Sequence, residues 1–541
     1  MKRIIKILLV VLIFAFALGL RLVALDKSPL AINWDEASLG YNAYSLALTG
    51  KDEYGKRWPL SLRSFGDYKP SLYSIMSVPV VKIFGLSQES VKYVSITAGI
   101  LSLVALGWCL KIWLKNDWLR ILSLAIISLE PWRLHFSRTA LETNLSAMFF
   151  VFGAVFLLLS RKNKSKLIIV ITFILFALSA YSYHSARVAA PALLFLFYID
   201  PLSWFQKRKV TFNFKWLGAI FIWFLLMLPI LIETNSQGAM ARFNQENIFH
   251  KLFPFVSREI YSNDFESNLR VNPGYYFLGT ILGHLASYVS PVNYSTNIFP
   301  WIKDSVQYTP EFNFFGLIEI FLLIFGLRVL ITRVAKFEYR YLVYWLLAAV
   351  APAVVTWNWF HVLRITNGMM ALEIIMAIGL GDLFMMISGK LRWILVISLG
   401  FLLMWQAVFV VNNELVFANT ENYSAYQPGG FKEGVLIIKK LMDNYDHIIV
   451  ESPHEQSHIF FLFYLNYPPE KLQAETRVNN NFGKFVFRNI DFEEDTKKHK
   501  TILWVPRRIS LSDIDKIPSA KAYYINGPFK TYQVATIITL D

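Results

Sequence analysis

The stretch MKRIIKILLVVLIFAFALGLRLVAL, residues 1–25, puts Lys2, Arg3 and Lys6 ahead of an apolar run broken only by Arg21 near its end. About 20 apolar residues wound as a helix cross the ~30 Å hydrocarbon core of a bilayer. The basic start and Ala15-Phe16-Ala17 also suit a secretory signal peptide, yet the apolar run continues to Leu25, which favours an uncleaved first helix. Runs of the same kind recur along the chain as far as LRWILVISLGFLLMWQAVFVV at 391–411, and then stop.

Composition agrees with that reading. Of 541 residues, 55% are hydrophobic and 17% charged, with 16 Trp and 45 Phe, and the mean hydropathy is +0.42. No soluble domain needs so much apolar surface. The net charge of +15 invites a nucleic-acid partner, but the cations sit in short segments between apolar runs, which is how membrane topology is encoded. Nucleic acid is therefore set aside. The single cysteine, Cys109, lies in an apolar run and forms no intrachain disulfide.

The basic clusters are Lys2, Arg3, Lys6; Lys111, Lys115, Arg120; Arg161, Lys162, Lys164, Lys166; Lys207, Arg208, Lys209, Lys215; Arg328, Arg333, Lys336, Arg340; and Lys390, Arg392. Placing all of them in the cytoplasm requires the spans between them to come in pairs. Spans near 5–25, 91–114, 118–130, 139–160, 166–183, 187–199, 215–232, 312–331, 340–357, 367–388 and 391–411 satisfy that condition. The expected fold is thus a polytopic α-helical membrane protein of about eleven transmembrane helices, with the N-terminus cytoplasmic and the C-terminal domain extracytoplasmic, in the plasma membrane. PSLYSIMSVPVVKIFGL at 70–86 cannot then span; its two prolines and Lys82 suit an interfacial helix.

This topology gathers the unusual polar residues on the outer face. A first outer loop, 26–90, carries Trp34, Asp35 and Glu36 just beyond the first helix, then Asp67 and Lys69 before Pro70. The turn PWRLHFSR (131–138) leads from Arg138 to Glu142, a spacing of one helical face. YSYHSAR (181–187) gives Tyr183, His184 and Arg187, and WNWFHVLR (357–364) gives Trp357, Trp359, His361 and Arg364. A second long outer loop covers 233–311. Each feature has a bland reading: interfacial solvation for the acidic pair, an intrahelical salt bridge for Arg138 and Glu142, snorkelling for each arginine. Four outer segments that each bring a cation against the positive-inside trend point further, to a basic pocket at headgroup depth beside a carboxylate pair.

Transfer from a lipid phosphate suits such a pocket. Lys and Arg stabilise an anionic leaving group in a partly water-excluded site, and a carboxylate takes the proton of an attacking acceptor hydroxyl. One base and a phosphate leaving group imply a single displacement with inversion.

The order of signals resembles a known family. Arg21 late in the first helix, WDEA at 34–37, a loop ending in GDYKPSLY, PWRLHFSRTALETN, YSYHSAR, and an Arg-containing turn before a late helix look like the GT-C glycosyltransferases. Within these the layout over residues 1–411 is most similar to glycosyltransferase family 39, which includes protein O-mannosyltransferases, and to the related lipid A aminoarabinose transferases. The resemblance implies that Asp35 is the catalytic base with Glu36 as its acidic neighbour, and that Lys69 matches the lysine of a Lys-Pro-Pro signature that contacts donor phosphate. Here Ser71 replaces the second proline. Arg138 resembles the arginine of the second outer loop and is expected to bind donor phosphate, and Glu142, expected in the substrate pocket, stands where a second acidic residue often sits. Topology alone adds Arg187 and Arg364 as phosphate-binding residues, and Tyr183, His184 and His361 with Trp34 and Asp67 as pocket residues. No cofactor or metal is required, and no compact His/Cys/Asp cluster has ligand spacing.

Residues 1–411 are therefore expected to form a GT-C-like membrane catalytic domain, and 412–541 a small soluble α/β domain. In the latter, the helical FKEGVLIIKKLMDNY is followed by strand-like HIIVES, KFVFRN, TILWVP, AYYING and YQVATIITL. His454, Glu455 and His458 in SPHEQSH offer two histidines at helical spacing, read more simply as the polar opening of a helix. The expected partners are the bilayer, a polyprenyl-phosphate-linked sugar and a hydroxyl acceptor on protein, lipid or glycan. The competing reading is a transporter or lipid flippase with a basic outer vestibule, for which Glu373 and Asp382 inside a late span would be the relevant groups.

Overall fold

The structure, a computed structural model, describes residues 2–28, 32–65, 67–163, 165–207, 215–234, 273–290, 292–295, 315–356, 360–416, 430–452, 456–475, 480–505, 514–517, 520–526 and 533–541. Trp357, Trp359, His454, Glu455 and much of the 233–311 loop lie outside the described residues, as does the side chain of Asp67.

The helices are α1 (Lys2–Leu22), α2 (Trp34–Thr49), α3 (Leu72–Phe84), α4 (Gln88–Cys109), α5 (Asp117–Ser128), α6 (Pro131–Arg138), α7 (Glu142–Ser160), α8 (Lys166–Ser182) and α9 (Ala186–Ile199). They continue as α10 (Lys215–Thr234), α11 (Pro273–Val289), α12 (Leu317–Arg333), α13 (Phe337–Val354), α14 (Val362–Met386) and α15 (Gly389–Leu415). Each stretch read as a span is occupied by one of these helices, and six of the described helices are long and apolar enough to cross a membrane by length and composition. Trp393, Ile397, Phe401 and Trp405 recur every four residues on α15 and are all more than 60% exposed. A stripe that apolar is suited to hydrocarbon, and the fold is that of a multi-pass membrane protein.

The chain divides into two compact units, and not at a single cut after residue 411. A bundle unit comprises Met1–Val23, Asp67–Leu72 and Ser95–Val411; a sheet unit comprises Ala24–Gly66, Tyr73–Val94 and Asn412–Asp541. Most of the first outer loop thus belongs with the C-terminal region.

In the bundle unit, α12 and α14 cross at two glycines. A Cβ on Gly326 would run into the carbonyl of Ile375, and one on Gly379 into that of Leu322. Small residues at such a crossing let backbones approach where no hydrophobic force separates helix from lipid. Ion pairs tie these helices together. Arg340 is bidentate to Asp200 at 2.8 Å on both oxygens, with the Tyr344 hydroxyl on the same carboxylate at 2.7 Å. Arg328 reaches Asp382 at 2.6 Å. Both pairs involve residues of the predicted cytoplasmic clusters.

Three expectations fail here. PWRLHFSR is not an exposed turn: α6 is a helix in which Trp132, Arg133, His135, Ser137 and Arg138 are all buried. Arg133 explains the burial of so polar a segment, because its guanidinium is bidentate to Glu373 (Nε to Oε1 3.1 Å, Nη2 to Oε2 2.5 Å) and donates to Ser102 Oγ at 2.6 Å. Nor do Arg138 and Glu142 share a helical face, since α6 ends at Arg138, Thr139 is extended, and α7 begins at Glu142. The stretch 233–311, expected to be a long outer loop, contains the apolar helix α11.

The sheet unit has five strands, β3 (His447–Glu451), β4 (Phe485–Arg488), β5 (Thr501–Val505), β6 (Ala520–Asn526) and β7 (Gln533–Leu540), in the order β4-β3-β5-β7-β6; β1 (Ser61–Ser64) and β2 (Asp67–Pro70) precede them in the chain. β3 pairs parallel with β4 and β5, whereas β7 is antiparallel to β5 and β6. The strand-like segments read from the sequence are these strands. β5 is buried at every position, as expected of a central strand covered on both faces. α16 (Phe431–Leu441), α17 (His458–Leu465) and α18 (Pro469–Ala474) accompany it.

The first loop joins this unit through α2. Tyr41 Oη donates to the Tyr467 carbonyl at 2.8 Å, and Gln473 Nε2 to Ser45 Oγ and Thr49 Oγ1 at 3.0 Å each. Gly40 permits the approach, because a Cβ there would sit 2.5 Å from Val91 Cγ2 and 2.7 Å from Phe463 Cε2. α3 belongs to the same unit, with Ser74 Oγ donating to the Leu39 carbonyl at 2.9 Å and Tyr73 Oη to that of Val91 at 2.8 Å.

Asp495 pins the far side of the sheet unit. Burial opposes its charge, but Arg488 (2.6 and 2.7 Å), Lys498 (2.6 Å) and the Asp491 N–H (3.0 Å) outweigh that and hold its carboxyl at about 2. A depressed folded-state value contributes stability that is complete above the ordinary carboxylate range and is lost as pH falls through that range towards about 2, on the order of 2 kcal/mol at neutral pH. Amide hydrogen exchange in β4, corrected for its intrinsic pH dependence, should show this acid loosening in the full chain, and Asp495→Asn should be loose already at neutral pH.

Candidate functional site

Each acidic or basic residue singled out from the sequence falls in one unit or the other. In the sheet unit, Asn33 caps α2: its Oδ1 accepts from Asp35 N at 2.6 Å and Glu36 N at 3.1 Å, and Glu36 Oε2 accepts from Asn33 N at 3.0 Å. This reciprocal box satisfies orphan N–H groups of the first turn. It separates the two carboxylates. Glu36 is fully buried and spent on the cap, whereas Asp35 is only half-buried at the mouth of the helix. Trp34 opens the same turn and is also half-buried.

In the bundle unit, cation-bearing segments distant in sequence come together. His184 Nε2 is 3.1 Å from the Tyr68 carbonyl, which brings β2, with the nearly buried Lys69 next in chain, to the α8–α9 turn. Arg187 in that turn has Nε donating to the Ala180 carbonyl at 3.3 Å. Tyr288, near the end of α11, accepts the His361 N–H at 3.0 Å, and both Arg364 and Tyr183 lie within electrostatic reach of its hydroxyl. Arg364 Nη1 donates to Thr356 Oγ1 at 2.6 Å, while His284 Nδ1 is 3.1 Å from the Val354 carbonyl. Phe360 packs against Tyr288 and Tyr294, with ring centroids 5.3 and 5.2 Å apart. The segments that carry Lys69, Tyr183, His184 and Arg187 thus meet at the α8–α9 turn, and the Tyr288 hydroxyl brings Tyr183, His361 and Arg364 to one place beside an aromatic wall.

Arg138 has a different setting. Fully buried, it directs Nη1 to the carbonyls of Leu20 (2.9 Å), Arg21 (3.3 Å) and Val23 (2.8 Å), so it closes the carboxyl end of α1. Arg21, also fully buried, turns back to the Ala17 carbonyl at 2.8 Å. Glu142 opens α7 and is buried. His458 packs edge-on between Phe65 and Phe487 at 5.9 and 6.1 Å, the setting of an aromatic core residue. Among the described residues no three His, Cys, Asp or Glu side chains gather as ligands of a metal would.

The sequence reading missed Tyr288, His284 and Tyr294. For Tyr288 and His284 the signal is YYFLGTILGHLASYV (275–289), an apolar run at helical period; Tyr294 lies beyond it.

Known structures decide the fold. The chain superposes on ArnT from Cupriavidus metallidurans, in the apo state and bound to undecaprenyl phosphate, with a TM-score of 0.52 at 13% identity over 98% of this chain and 97% of that one. This is the GT-C fold. The archaeal oligosaccharyltransferase AglB from Archaeoglobus fulgidus, in complex with an inhibitory peptide and a dolichol-phosphate, is similar at a TM-score of 0.50 and 12% identity, over 86% of this chain and 64% of that one. No protein-family model and no curated protein sequence matches the chain. The ArnT-like fold runs through both units, so the similarity extends beyond the 1–411 over which the motif order carried the resemblance.

The two carboxylates of the WDEA turn should separate in stability. Glu36→Ala removes half of the capping box and should cost about 1 kcal/mol, whereas Asp35→Asn, whose backbone N–H remains capped, should leave thermal unfolding in detergent within about 0.5 kcal/mol of wild type.

Proposed function

We propose that the chain is an integral membrane glycosyltransferase that moves a sugar from a polyprenyl-phosphate donor to a hydroxyl acceptor on the extracytoplasmic face. The observation that carries the reading is the cation neighbourhood of the bundle unit, built from β2, the α8–α9 turn and the start of α14, on a fold shared with an ArnT that binds undecaprenyl phosphate. In this reading Lys69, Arg187 and Arg364 receive the donor phosphate, and Tyr183, His184, Tyr288 and His361 shape the pocket around the sugar.

The reaction is a single displacement. The acceptor hydroxyl attacks the anomeric carbon as the bond from that carbon to the phosphate oxygen breaks. The charge that develops on the departing lipid phosphate falls to the cations, which are preorganised in a site of low dielectric. The hydroxyl proton passes to the Asp35 carboxylate, and the sugar leaves with inverted configuration. Glu36 anchors α2 through its cap, and Arg138 is a positioning residue that fixes the end of α1. The eleven spans, with the N-terminus inside and the C-terminal region outside, complete the proposal.

Purified protein in lipid nanodiscs, offered a panel of polyprenyl-phosphate sugars, should release polyprenyl phosphate. Asp35→Asn should lower kcat by on the order of a hundredfold or more while staying folded. Arg364→Ala should instead raise KM for the donor by roughly ten- to a hundredfold, the loss of one charge-assisted hydrogen bond. A wild type that turns over no donor, or an Asn variant that matches it, would move the assignment to a transporter.

A further inference from the structure

Three carboxyl groups and one guanidinium are buried together inside the bundle unit. Glu130 directly precedes α6, Glu373 lies midway along α14, Glu319 is in the first turn of α12, and Arg133 is on α6; none is more than 1% exposed. The donors around them are few. Arg133 is spent on Glu373 and Ser102. Trp132 Nε1 donates to Glu130 Oε2 at 2.9 Å, and Gln406 Nε2 donates to Glu319 Oε1 at 2.5 Å and to the Leu129 carbonyl at 3.2 Å. After these, no donor among the described residues reaches Glu130 Oε1.

That atom's surroundings make the deficit specific. The Glu130 and Glu373 carboxyl groups lie within hydrogen-bonding reach of each other. Glu130 also lines a cavity of about 10 Å³, room for one water, otherwise walled mainly by Ile126, Ile127, Leu322, Met376 and Leu380. The titratable groups facing the pair are Arg133 from α6, Glu373 from α14, Glu319 from α12 and the Cys109 thiol from α4; α5 and α15 add only the neutral Ser123 and Gln406. Two ionised carboxylates in contact in this interior, with one cation already committed, carry an uncompensated charge. A cavity lined by one carboxyl, one serine and otherwise apolar residues gives a metal cation too few oxygen ligands. A protonated carboxyl supplies the missing O–H donor.

We propose that Glu130 is a proton-binding site within the membrane bundle: its carboxyl group carries a proton that it donates to Glu373, leaving Glu373 as the anion that clamps Arg133 and with it α6. The proton is a structural part of the bundle, independent of sugar transfer. Its loss would place a second negative charge against Glu373 and compete for the guanidinium that holds α6 to α14.

The test uses the full-length protein in nanodiscs, with thermal unfolding followed between about pH 6 and pH 9. A proton held by the folded chain and released on unfolding makes stability fall as pH rises. Wild type should show that fall; Glu130→Gln, whose amide N–H replaces the O–H donor, should match wild type near pH 6 and show a flatter dependence; Glu130→Ala should melt lower throughout. A Gln variant that keeps the wild-type slope, or that melts as low as Ala, overturns the proposal. So does a wild-type melting temperature that rises when sodium replaces choline at fixed ionic strength while that of Glu130→Gln does not, because a small cation would then neutralise the site. Infrared spectroscopy of the wild type gives a reading that needs no variant: a protonated-carboxyl band at neutral pH is expected, and its absence overturns the assignment.

Discussion

The bundle is organised around a charge that has no business in hydrocarbon unless it is matched. Arg133 sits on an eight-residue helix with nearly all of its side chain buried, and it survives there because Glu373 offers both carboxylate oxygens in the planar geometry a guanidinium prefers. The pair ties a short polar helix into the interior of a membrane unit. From α6 the consequences run outward. Arg138 at its far end closes the carboxyl terminus of α1, Ser137 packs where Gly99 of α4 leaves room, and the Phe136 carbonyl accepts from Ser95 at 2.7 Å. Removing one partner of such a pair leaves the other charged and buried, a change typically of about 3–5 kcal/mol.

Much of the architecture was legible in the sequence because hydrophobic period is a local property. The apolar runs, the strands of the C-terminal region and the turn at 181–187 were all readable without knowledge of what they touch. The failures have two causes, one long-range and one local. PWRLHFSR reads as a solvent-facing turn because four of its eight residues are polar or charged, and only Glu373, 240 residues away, makes its burial tolerable. Glu36 reads as half of a catalytic pair until Asn33 is seen to cap with it. Spacing alone placed Arg138 and Glu142 on one helix, but the extended Thr139 ends α6 between them.

The candidate site was legible in part for the same reason. The expected topology assigns Tyr183, His184, Arg187, His361 and Arg364 to one face, and the bundle brings the Tyr183, His361 and Arg364 segments to the Tyr288 hydroxyl. What topology could not supply was the wall. Tyr288 lies on a helix inside a stretch taken as loop, and its hydroxyl accepts the His361 N–H while Arg364 and Tyr183 approach it. The intramembrane acids that kept the transporter reading open, Glu373 and Asp382, prove to be partners of Arg133 and Arg328.

The composition of the sheet unit has a consequence for how the protein is made. α2 leaves the ribosome early, yet the residues it packs against, Phe463, Tyr467 and Gln473, are translated more than four hundred positions later. Contacts so distant in sequence form slowly and late. During that interval α2 has only the early partners of its own unit, Ser74 of α3 and Val91, while the bundle that interrupts the two halves is being inserted. The earliest loop of this chain is thus completed last, and in a nascent chain arrested after α15 the α2 segment still waits for its mate.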